Sequence, residues 1–371
     1  MRSLIGSIAC WLLGSAACSS PFSATGQPDA GQDAAGSGGM EDDAASSGGA
    51  GNDSGTEAGG PSPCTPAPVD TSSCDSASCA PTPLFTGQSR PGAIGADGSA
   101  LYWITKTGSN YTLMKAPKEG GCPSPLAVDV VTGGIVRDLL VDDEAVYIGS
   151  TQLARSVVRV DKASGTTTAI VDANVCRSAS PGVLALNAMF LFFACADNGG
   201  LIGKWDKTTP GALPMPLHDP AESLSFGGLA ADSSTVYFNL DMGSLEAVPA
   251  AGGAPSTVSI ADAFARIALF GSAVYGLSAT QVLRIPIGGG TLDPMITSIQ
   301  APIDLRADTG GVFVIARGTG DGAGMLLGAS ADRLGQRTLA TKLGRPAGLT
   351  TDLAYVYLTD ELAGTVLRAT K

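Results

Sequence analysis

The sequence offers few residue combinations that support catalysis. Its single histidine, His218, lies in a Pro-Met-Pro-Leu-His segment that is predicted to be an outer strand, far from any central channel. A Ser/His/Asp arrangement or a histidine-ligated metal needs several suitable groups to converge on one point. We therefore assign no catalytic residue, no metal ligand and no cofactor-binding residue, and we expect no cofactor.

Aspartates and arginines recur at regular places and are the next candidates. Five aspartates follow short apolar strands and suggest a ring of metal ligands: Asp97, Asp142, Asp232, Asp308 and Asp352. An aspartate at a strand-to-strand turn commonly accepts hydrogen bonds from its own backbone, and we favour this structural role. Three arginines, Arg137, Arg266 and Arg306, lie on predicted innermost strands. There they would line a central channel with positive charge, but strand alternation leaves their facing open and we favour a structural role for them too.

Two further kinds of function find little support. The glycine-rich run from Gly318 to Gly324 lacks the following Lys-Ser/Thr and the helix of a phosphate loop, so it is predicted to be a hairpin connection. The chain of 371 residues carries 22 Lys+Arg against 34 Asp+Glu and has a net charge of −12. This acidic balance argues against nucleic acid as a partner, because such binding relies on clustered cations.

Residues 1–18 have the pattern of a lipoprotein signal peptide. Arg2 is the only charge before an apolar run, from Leu4 to Leu13, that is too short to span a bilayer of roughly 30 Å. The next residues read GSAAC, and small residues before Cys18 resemble a bacterial lipobox, which implies that this cysteine carries a lipid after cleavage. The alternative is ordinary signal cleavage after Ala17. We favour the lipoprotein because a spacer follows directly.

Residues 19–63 form that spacer. Of these 45 positions, 27 are Gly, Ser or Ala, seven are acidic and none is basic. Such a segment cannot bury enough apolar surface to offset its ordering entropy, so we expect a disordered tether. Residues 64–80 are a lead-in that contains cysteines, and residues 81–371 make up the folded domain.

The domain is built from a repeat. A short apolar strand and a turn precede an aromatic residue within a second strand, and this pattern occurs seven times. The aromatic anchors are spaced by 38 to 47 residues: Tyr102, Tyr147, Phe190, Tyr237, Tyr275, Phe313 and Tyr357. This period, with β-branched and aromatic segments separated by Gly and Pro, is typical of four-stranded propeller blades. We predict an all-β fold, a seven-bladed β-propeller.

The chain ends are predicted to close the ring together. The last repeat stops after its third strand, and a shift of 255 residues aligns Leu84 with Leu339 and Pro91 with Pro346. Residues 82–87 therefore correspond to an outermost strand without a blade of its own. Pairing of this strand with the last blade would leave only short blade edges exposed.

Two repeats carry a known motif. Residues 357–360, YLTD, followed by TVLR at 365–368, resemble the YWTD repeat of lipoprotein-receptor-type β-propellers, and residues 102–105, YWIT, match it more loosely. The resemblance implies that repeat residues pack between blades. Propellers of that family usually have six blades, and their receptor activity is not carried over. The whole chain looks like the tethered propeller lipoproteins of bacteria.

Six cysteines remain after the signal, an even number that favours disulfides in an exported protein. Strand alternation places Cys176, which enters the third blade, and Cys195, which follows its second strand, on one face, so we predict that they bond. Cys122 is expected on the opposite face, where Cys79 or Cys74 would attach the N-terminal segment to the ring. Zinc is less favoured because no Cys-x-x-Cys occurs.

Two functional classes stay open. We favour a binding or scaffolding module that uses the face of the entry loops and of the loops between second and third strands. The alternative is an exported propeller enzyme, such as a lactonase, a lyase or a quinoprotein, which would need three or more acidic or amide side chains at the channel mouth. We expect a monomer in the cell envelope, at the outer membrane or cell surface. Its partners would be the membrane, through the lipid, and a protein or carbohydrate ligand.

Overall fold

The computed structural model describes residues 81–176, 182–195, 200–209, 211–218, 226–240, 243–260, 263–330 and 335–371. The predicted signal peptide with Cys18, the tether at 19–63 and the lead-in at 64–80 with Cys74 and Cys79 lie outside the described residues.

Within this part of the chain, 28 strands form seven four-stranded antiparallel sheets, which we call blades 1 to 7. Blade 1 has β2 (Ile94–Ala96), β3 (Ala100–Thr107), β4 (Asn110–Pro117) and β5 (Ser124–Thr132); blade 2 has β6 (Val136–Val141), β7 (Ala145–Ser150), β8 (Val157–Asp161) and β9 (Thr167–Val171); blade 3 has β10 (Leu184–Leu186), β11 (Phe190–Cys195), β12 (Leu201–Asp206) and β13 (Met215–His218). Blade 4 has β14 (Phe226–Ala231), β15 (Thr235–Leu240), β16 (Ser244–Pro249) and β17 (Ser256–Ile260); blade 5 has β18 (Arg266–Phe270), β19 (Ala273–Leu277), β20 (Val282–Pro286) and β21 (Asp293–Ile296); blade 6 has β22 (Pro302–Asp308), β23 (Gly311–Ala316), β24 (Gly324–Ala329) and β25 (Gln336–Leu343). Blade 7 has β26 (Pro346–Thr351), β27 (Tyr355–Asp360) and β28 (Thr365–Thr370), with β1 (Thr82–Phe85) as its outermost strand, and a 3-10 turn (Leu153–Arg155) lies between β7 and β8.

The ring closes as the sequence predicts. β1 pairs antiparallel with β28, with Thr82 opposite Arg368 and Phe85 opposite Val366, so the first strand of the domain completes the last blade. The innermost strand of each blade contacts those of both neighbours, and β26 contacts β2. The prediction of a seven-bladed all-β propeller closed by an N-terminal strand is confirmed.

The second strand of each blade is its most buried element, because it lies between two strands of its own sheet and packs against both neighbouring blades. All six residues of β7 and of β23 are buried, which fits their nearly continuous apolar sequences. Apolar side chains of successive blades form the core between them, for example Tyr102 and Ile104 of blade 1 with Val146 and Ile148 of blade 2.

One anchor of the repeat differs from the prediction. Phe190 was expected to be the third aromatic anchor, but the strand register places Phe192 at the position of Tyr147 and Tyr237. Each of these three residues directly precedes the residue that pairs with a leucine of the innermost strand, which is Leu139, Leu184 or Leu229. In every blade the anchor therefore lies five residues after the turn residue. The alternating Phe-Leu-Phe-Phe sequence of β11 concealed this, because both Phe190 and Phe192 point to the same side of the strand.

The innermost strands approach one another closely. A Cβ atom added at Gly348 on β26 would lie 2.6 Å from the carbonyl oxygen of Gly92, and one added at Gly228 on β14 would lie 2.5 Å from the amide nitrogen of Ile267. Glycine is therefore required at these two positions for adjacent blades to meet at the channel.

Candidate functional site

Two surfaces of the ring follow from the alternation of strand direction. The entry face carries the connections into each blade and those between second and third strands. The turn face carries the turns between first and second strands and the connections between third and fourth strands. The candidate site lies on the central axis between these faces.

Charged residues occur at one level of the innermost strands. Asp138 of β6, Arg266 of β18 and Asp304 of β22 occupy the same repeat position, four residues before the turn between first and second strands. The corresponding residues of the other blades are small or apolar: Ala93, Val183, Gly228 and Gly348. The charges therefore concentrate on blades 2, 5 and 6, near the entry face.

The two aspartates hold neighbouring blades together. The Asp138 carboxylate accepts hydrogen bonds from the amides of Leu139, at 3.0 Å, and of Leu184 in blade 3, at 3.2 Å. Asp304 accepts in the same way from Leu305, at 2.9 Å, and from Leu349 in blade 7, at 3.1 Å. Both carboxylates are nearly buried, with side-chain exposures of 8% and 9%. Hydrogen bonds from two amides satisfy a charge that burial would otherwise make costly.

The two arginines complete a cluster that crosses the channel. Arg306 Nη1 lies 2.9 Å from Asp304 Oδ1 and donates at 2.9 Å to the Leu305 carbonyl, while its Nη2 lies 3.9 Å from Asp138 Oδ1. Arg266 Nη1 lies 3.7 Å from Asp138 Oδ2, and its Nε lies 4.0 Å from Asp304 Oδ1. We call Asp138, Arg266, Asp304 and Arg306 the channel cluster.

A cavity of about 320 Å³ adjoins this cluster. Apart from the charged residues, its walls are aliphatic and come from the innermost strands of blades 2 to 6, and they include Leu140, Leu186, Leu229, Ile267, Leu269 and Leu305. The cavity therefore has a charged end near the entry face and an apolar end that reaches Val141, Ala231 and Ala307, next to the turn face.

The structure settles where the other sequence candidates lie. Arg266 and Arg306 line the channel, whereas Arg137 is exposed at its mouth and contributes its carbonyl oxygen, which accepts from Arg266 Nη2 at 2.6 Å. His218 ends the outer strand of blade 3 and its ring lies 5.6 Å from that of Phe238, so it is remote from the channel cluster.

The turn aspartates accept hydrogen bonds from the amides of their own turns, as the sequence predicts, and Asp97 shows that such a residue can also contact the next blade. Asp97 Oδ1 accepts from the amides of Ser99 and Ala100, both at 2.8 Å, as an aspartate at a turn does. Its Oδ2 accepts from the Tyr102 hydroxyl at 2.9 Å and forms an ion pair of 2.5 Å with Lys162 Nζ of blade 2. The aspartate therefore links its own turn to the next blade.

Among the described residues, four such ion pairs, which we call clasps, join neighbouring blades on the turn face. Each consists of a turn aspartate and a lysine that directly follows the third strand of the next blade: Asp97–Lys162 at 2.5 Å, Asp142–Lys207 at 2.9 Å, Asp308–Lys371 at 2.5 Å and Asp352–Lys118 at 2.9 Å. The lysine side chains are 7% to 13% exposed. Their position was missed from the sequence, although each lysine lies 14 to 16 residues after the aromatic anchor of its own blade.

The clasps shift the ionisation of their members. Burial by itself raises the pKa of the Asp97, Asp142 and Asp352 carboxyls, but the hydrogen bond from the clasp lysine and those from turn amides outweigh it, and each pKa is lowered. Burial and the adjacent carboxylate raise the pKa of Tyr102 and Tyr357. The carboxylates are therefore charged, and the phenols neutral, across the physiological range.

The cysteine predictions concern both faces. Cys176 and Cys195 form a disulfide with Cα atoms 5.5 Å apart, which is the pairing predicted from strand alternation. Cys122 is also disulfide-bonded. Its predicted partners, Cys79 and Cys74, lie outside the described residues.

The described residues contain neither a metal-ligand cluster nor a membrane-spanning helix. Among them, no three of His, Cys, Asp and Glu come together as metal ligands. No helix in the same part of the chain has the length and apolar character needed to cross a bilayer.

Comparison with known proteins identifies the fold. No protein-family model matches the sequence, and no curated protein matches it either. Similar solved structures include a chain of a nidogen/laminin complex (TM-score 0.50, 14% identity, 68% of this chain and 97% of that chain) and the computationally designed protein Ika8 (TM-score 0.50, 14% identity, 78% and 99%). BamB from Moraxella catarrhalis is also matched (TM-score 0.49, 16% identity, 76% and 85%). At these identities the first two likenesses concern the propeller fold alone.

Proposed function

We propose that this protein is an exported, lipid-anchored β-propeller that acts as a binding or scaffolding module. The observation that carries this proposal is the closed ring, whose blades hold the ends of their connections in fixed relative positions. A rigid arrangement of this kind loses little conformational entropy when a ligand binds to it.

The anchoring part of the proposal rests on the sequence. Cys18 would carry the lipid, and residues 19–63 would hold the propeller away from the bilayer with an r.m.s. span of roughly 35–40 Å. The protein would then be held in the cell envelope, at the outer membrane or the cell surface. Replacing the cysteine by Cys18→Ser is expected to move the chain from the membrane fraction to the soluble fraction. Retention in the membrane fraction would contradict the lipid anchor.

The composition of the channel mouth favours binding over catalysis. An enzyme of the kind considered would need at least three acidic or amide side chains that converge there. Two aspartates of the described residues, Asp138 and Asp304, do so, and each is already hydrogen-bonded to two main-chain amides. A carboxylate that is held in this way is a poor general base, because its oxygens already accept main-chain hydrogen bonds and are less available to a substrate proton.

A protein or carbohydrate is the proposed ligand. One similar structure belongs to a nidogen/laminin complex, in which a propeller occurs together with another protein. For this chain we propose that the entry face makes the contact, because strand alternation brings the connections that enter the blades and those between second and third strands to this one face.

Site-specific crosslinking tests this assignment in the native host. A photo-reactive amino acid is introduced at Ser109, an exposed residue of the β3–β4 connection on the entry face, and as a matched control at Ser233, an exposed turn residue on the opposite face. We expect a discrete crosslinked species from the Ser109 position and not from the Ser233 position. Crosslinks from the Ser233 position alone would assign binding to the turn face, and none from either position would contradict a binding module.

A further inference from the structure

The cavity on the propeller axis has the polarity of an amphiphile. At one end are the guanidinium groups of Arg266 and Arg306, and at the other end the lining residues are Leu186, Ala231, Leu269 and Ala307. A concave apolar site with a few polar groups at one point is typical of small-molecule binding sites, and about 320 Å³ lies within their range of roughly 300–1,000 Å³.

The charged end of the cavity offers donors rather than acceptors. Arg266 Nε and Nη1 and Arg306 Nη2 lie 3.7 to 4.0 Å from the carboxylates across the channel, which is longer than a hydrogen bond. Within the described residues, these three nitrogens have no hydrogen-bond acceptor. The arginine side chains are 19% and 26% exposed, whereas those of Asp138 and Asp304 are 8% and 9% exposed. A ligand therefore meets the guanidinium groups before the carboxylates.

The local charge also favours an anion. The two aspartates each accept two main-chain amides, so part of their charge is already compensated. The charges of Arg266 and Arg306 are therefore only partly balanced by these two carboxylates, and in the described part of the chain the one neutral acceptor of Arg266 is the main-chain oxygen of Arg137. An incoming carboxylate would take charge-assisted hydrogen bonds from the guanidinium nitrogens that lack an acceptor there.

We propose that the central cavity binds a small amphiphilic carboxylate, with its headgroup on Arg266 and Arg306 and its aliphatic chain directed toward the turn face. This inference deepens the proposed function and rests on it, because it assigns a small-molecule ligand to a binding module. At protein-like packing density the cavity holds roughly ten to fifteen non-hydrogen atoms, which corresponds to a medium-length aliphatic acid.

Isothermal titration with octanoate tests the proposal. The full chain carries Cys18→Ser, which removes the predicted lipid site and keeps detergent out of the experiment. We expect saturable 1:1 binding of octanoate. Octanol, which lacks the charge, should bind at least about tenfold more weakly than octanoate, and acetate, which lacks the chain, should show no saturable binding. Equal binding of octanoate and octanol, or no binding of octanoate, would overturn the proposal.

Variants at the two ends of the cavity separate the headgroup from the chain. Arg306→Met should weaken octanoate binding about tenfold or more, while Arg284→Met, at a partly exposed arginine on the third strand of blade 5, should leave it unchanged. If Arg306→Met does not fold, Ala268→Leu gives an independent test, because it fills the apolar part of the cavity and leaves the cluster intact. Unchanged octanoate affinity in a folded Arg306→Met or Ala268→Leu variant would overturn the assignment to the cavity.

The two proposals can fail separately. If octanoate does not bind but the Ser109 position still crosslinks, the cavity proposal is wrong and the binding module stands. If octanoate binds and neither crosslinking position gives a product, the cavity is a ligand site and the proposed macromolecular scaffold is wrong.

Discussion

The ring has two halves that are held together by different means. The interfaces from blade 6 through blades 7, 1 and 2 to blade 3 each carry a clasp on the turn face, whereas the described residues form none at the interfaces from blade 3 through blades 4 and 5 to blade 6. The four clasps are consecutive around the ring. Two of them flank blade 7, where strands from the two ends of the propeller domain meet: β28 pairs with β1, and β1 leads directly into β2 of blade 1.

In the unclasped half, each of the three interfaces has a different combination of residues at the aspartate and lysine positions of a clasp. Between blades 3 and 4, Asn187 takes the place of the aspartate and its Nδ2 donates to the Asp232 carbonyl at 3.0 Å. Between blades 4 and 5, Asp232 is present but Ile287 occupies the lysine position and packs into an apolar cluster with Leu269. Between blades 5 and 6, Phe270 and Ser330 stand at the two positions.

The difference shows that blades built from the same sequence repeat need not be joined to their neighbours by the same interaction. Apolar packing between blades is continuous around the ring, so a clasp is an addition to it. We infer that clasps matter most around blade 7, because inside that blade the ring is closed only by the non-covalent pairing of β1 with β28.

The largest effect is expected from removing a clasp lysine. Lys162→Met leaves the Asp97 carboxylate, 13% exposed, without its cation, and it also removes the bond to the Asp142 carbonyl and the contact with the Tyr102 ring. We expect a loss of about 2–4 kcal/mol in the free energy of unfolding, measured by denaturant titration.

The matched control lies in the other half of the ring. Ile287→Met changes the residue at the same position of blade 5 and should cost less than about 1.5 kcal/mol, because the side-chain volume is conserved. Equal losses for Lys162→Met and Ile287→Met would remove the energetic distinction between the two halves.

Acid should weaken the clasped half first. The pKa values of Asp97, Asp142 and Asp352 are lowered in the folded protein, so the unfolded chain takes up these protons at higher pH than the folded chain. The stability that these carboxylates confer is fully present well above about pH 3.9, their unfolded pKa, and is lost as the pH falls through the folded values. We expect a loss on the order of 1 kcal/mol per carboxylate after allowance for solvent screening.

Hydrogen exchange at pH 3 and pH 6 locates this effect. After correction for intrinsic rates, protection should fall more in β3 and β7 than in β19. The acid dependence should be smaller in Lys162→Met, since that substitution removes the main group that lowers the Asp97 pKa. An equal decrease of protection in all three strands would contradict the assignment.

The sequence predicted most of the fold because its signals are local or repeat at a fixed spacing. The anchor period gave seven blades, and the similarity of Leu84 and Pro91 to Leu339 and Pro346 gave the closing strand. The Cys176–Cys195 bond followed from strand alternation alone.

The charged interactions were harder to predict, because they join residues from different repeats. Asp97 was correctly placed at a turn, but its bond to Lys162 depends on how far blade 2 is rotated against blade 1. The channel cluster depends on which innermost side chains cross the axis, and Arg266 meets Asp138 across three blade interfaces. A signal was present, however: Asp138 and Asp304 each lie four residues before a turn aspartate.

A smaller effect is expected from making the turn of blade 3 like the others. Asn187→Asp keeps the oxygen that accepts from the Met189 and Phe190 amides but loses the Nδ2 donor to the Asp232 carbonyl. We expect a loss of about 1 kcal/mol in the free energy of unfolding. Adding Ala250→Lys, which places an ammonium at the clasp position, should recover part of it, and a further loss in the double variant would show that this interface cannot accept a clasp.

The smallest change tests whether a clasp can be built where one half already exists. Asp232 accepts from the amides of Ser234 and Thr235 as clasp aspartates do, and within the described residues it has no ion-pair partner. Ile287→Lys supplies an ammonium at the clasp position, but it also removes an apolar side chain from the blade 4–5 cluster. We expect these effects to leave a net change of about 0.5 kcal/mol or less in the free energy of unfolding.

The informative quantity is therefore the coupling energy of a double-mutant cycle with Asp232→Asn, expected to be about 1 kcal/mol in favour of the pair. A coupling energy of zero would mean that the missing lysine is not what distinguishes the unclasped half, and that the rotation between its blades differs instead.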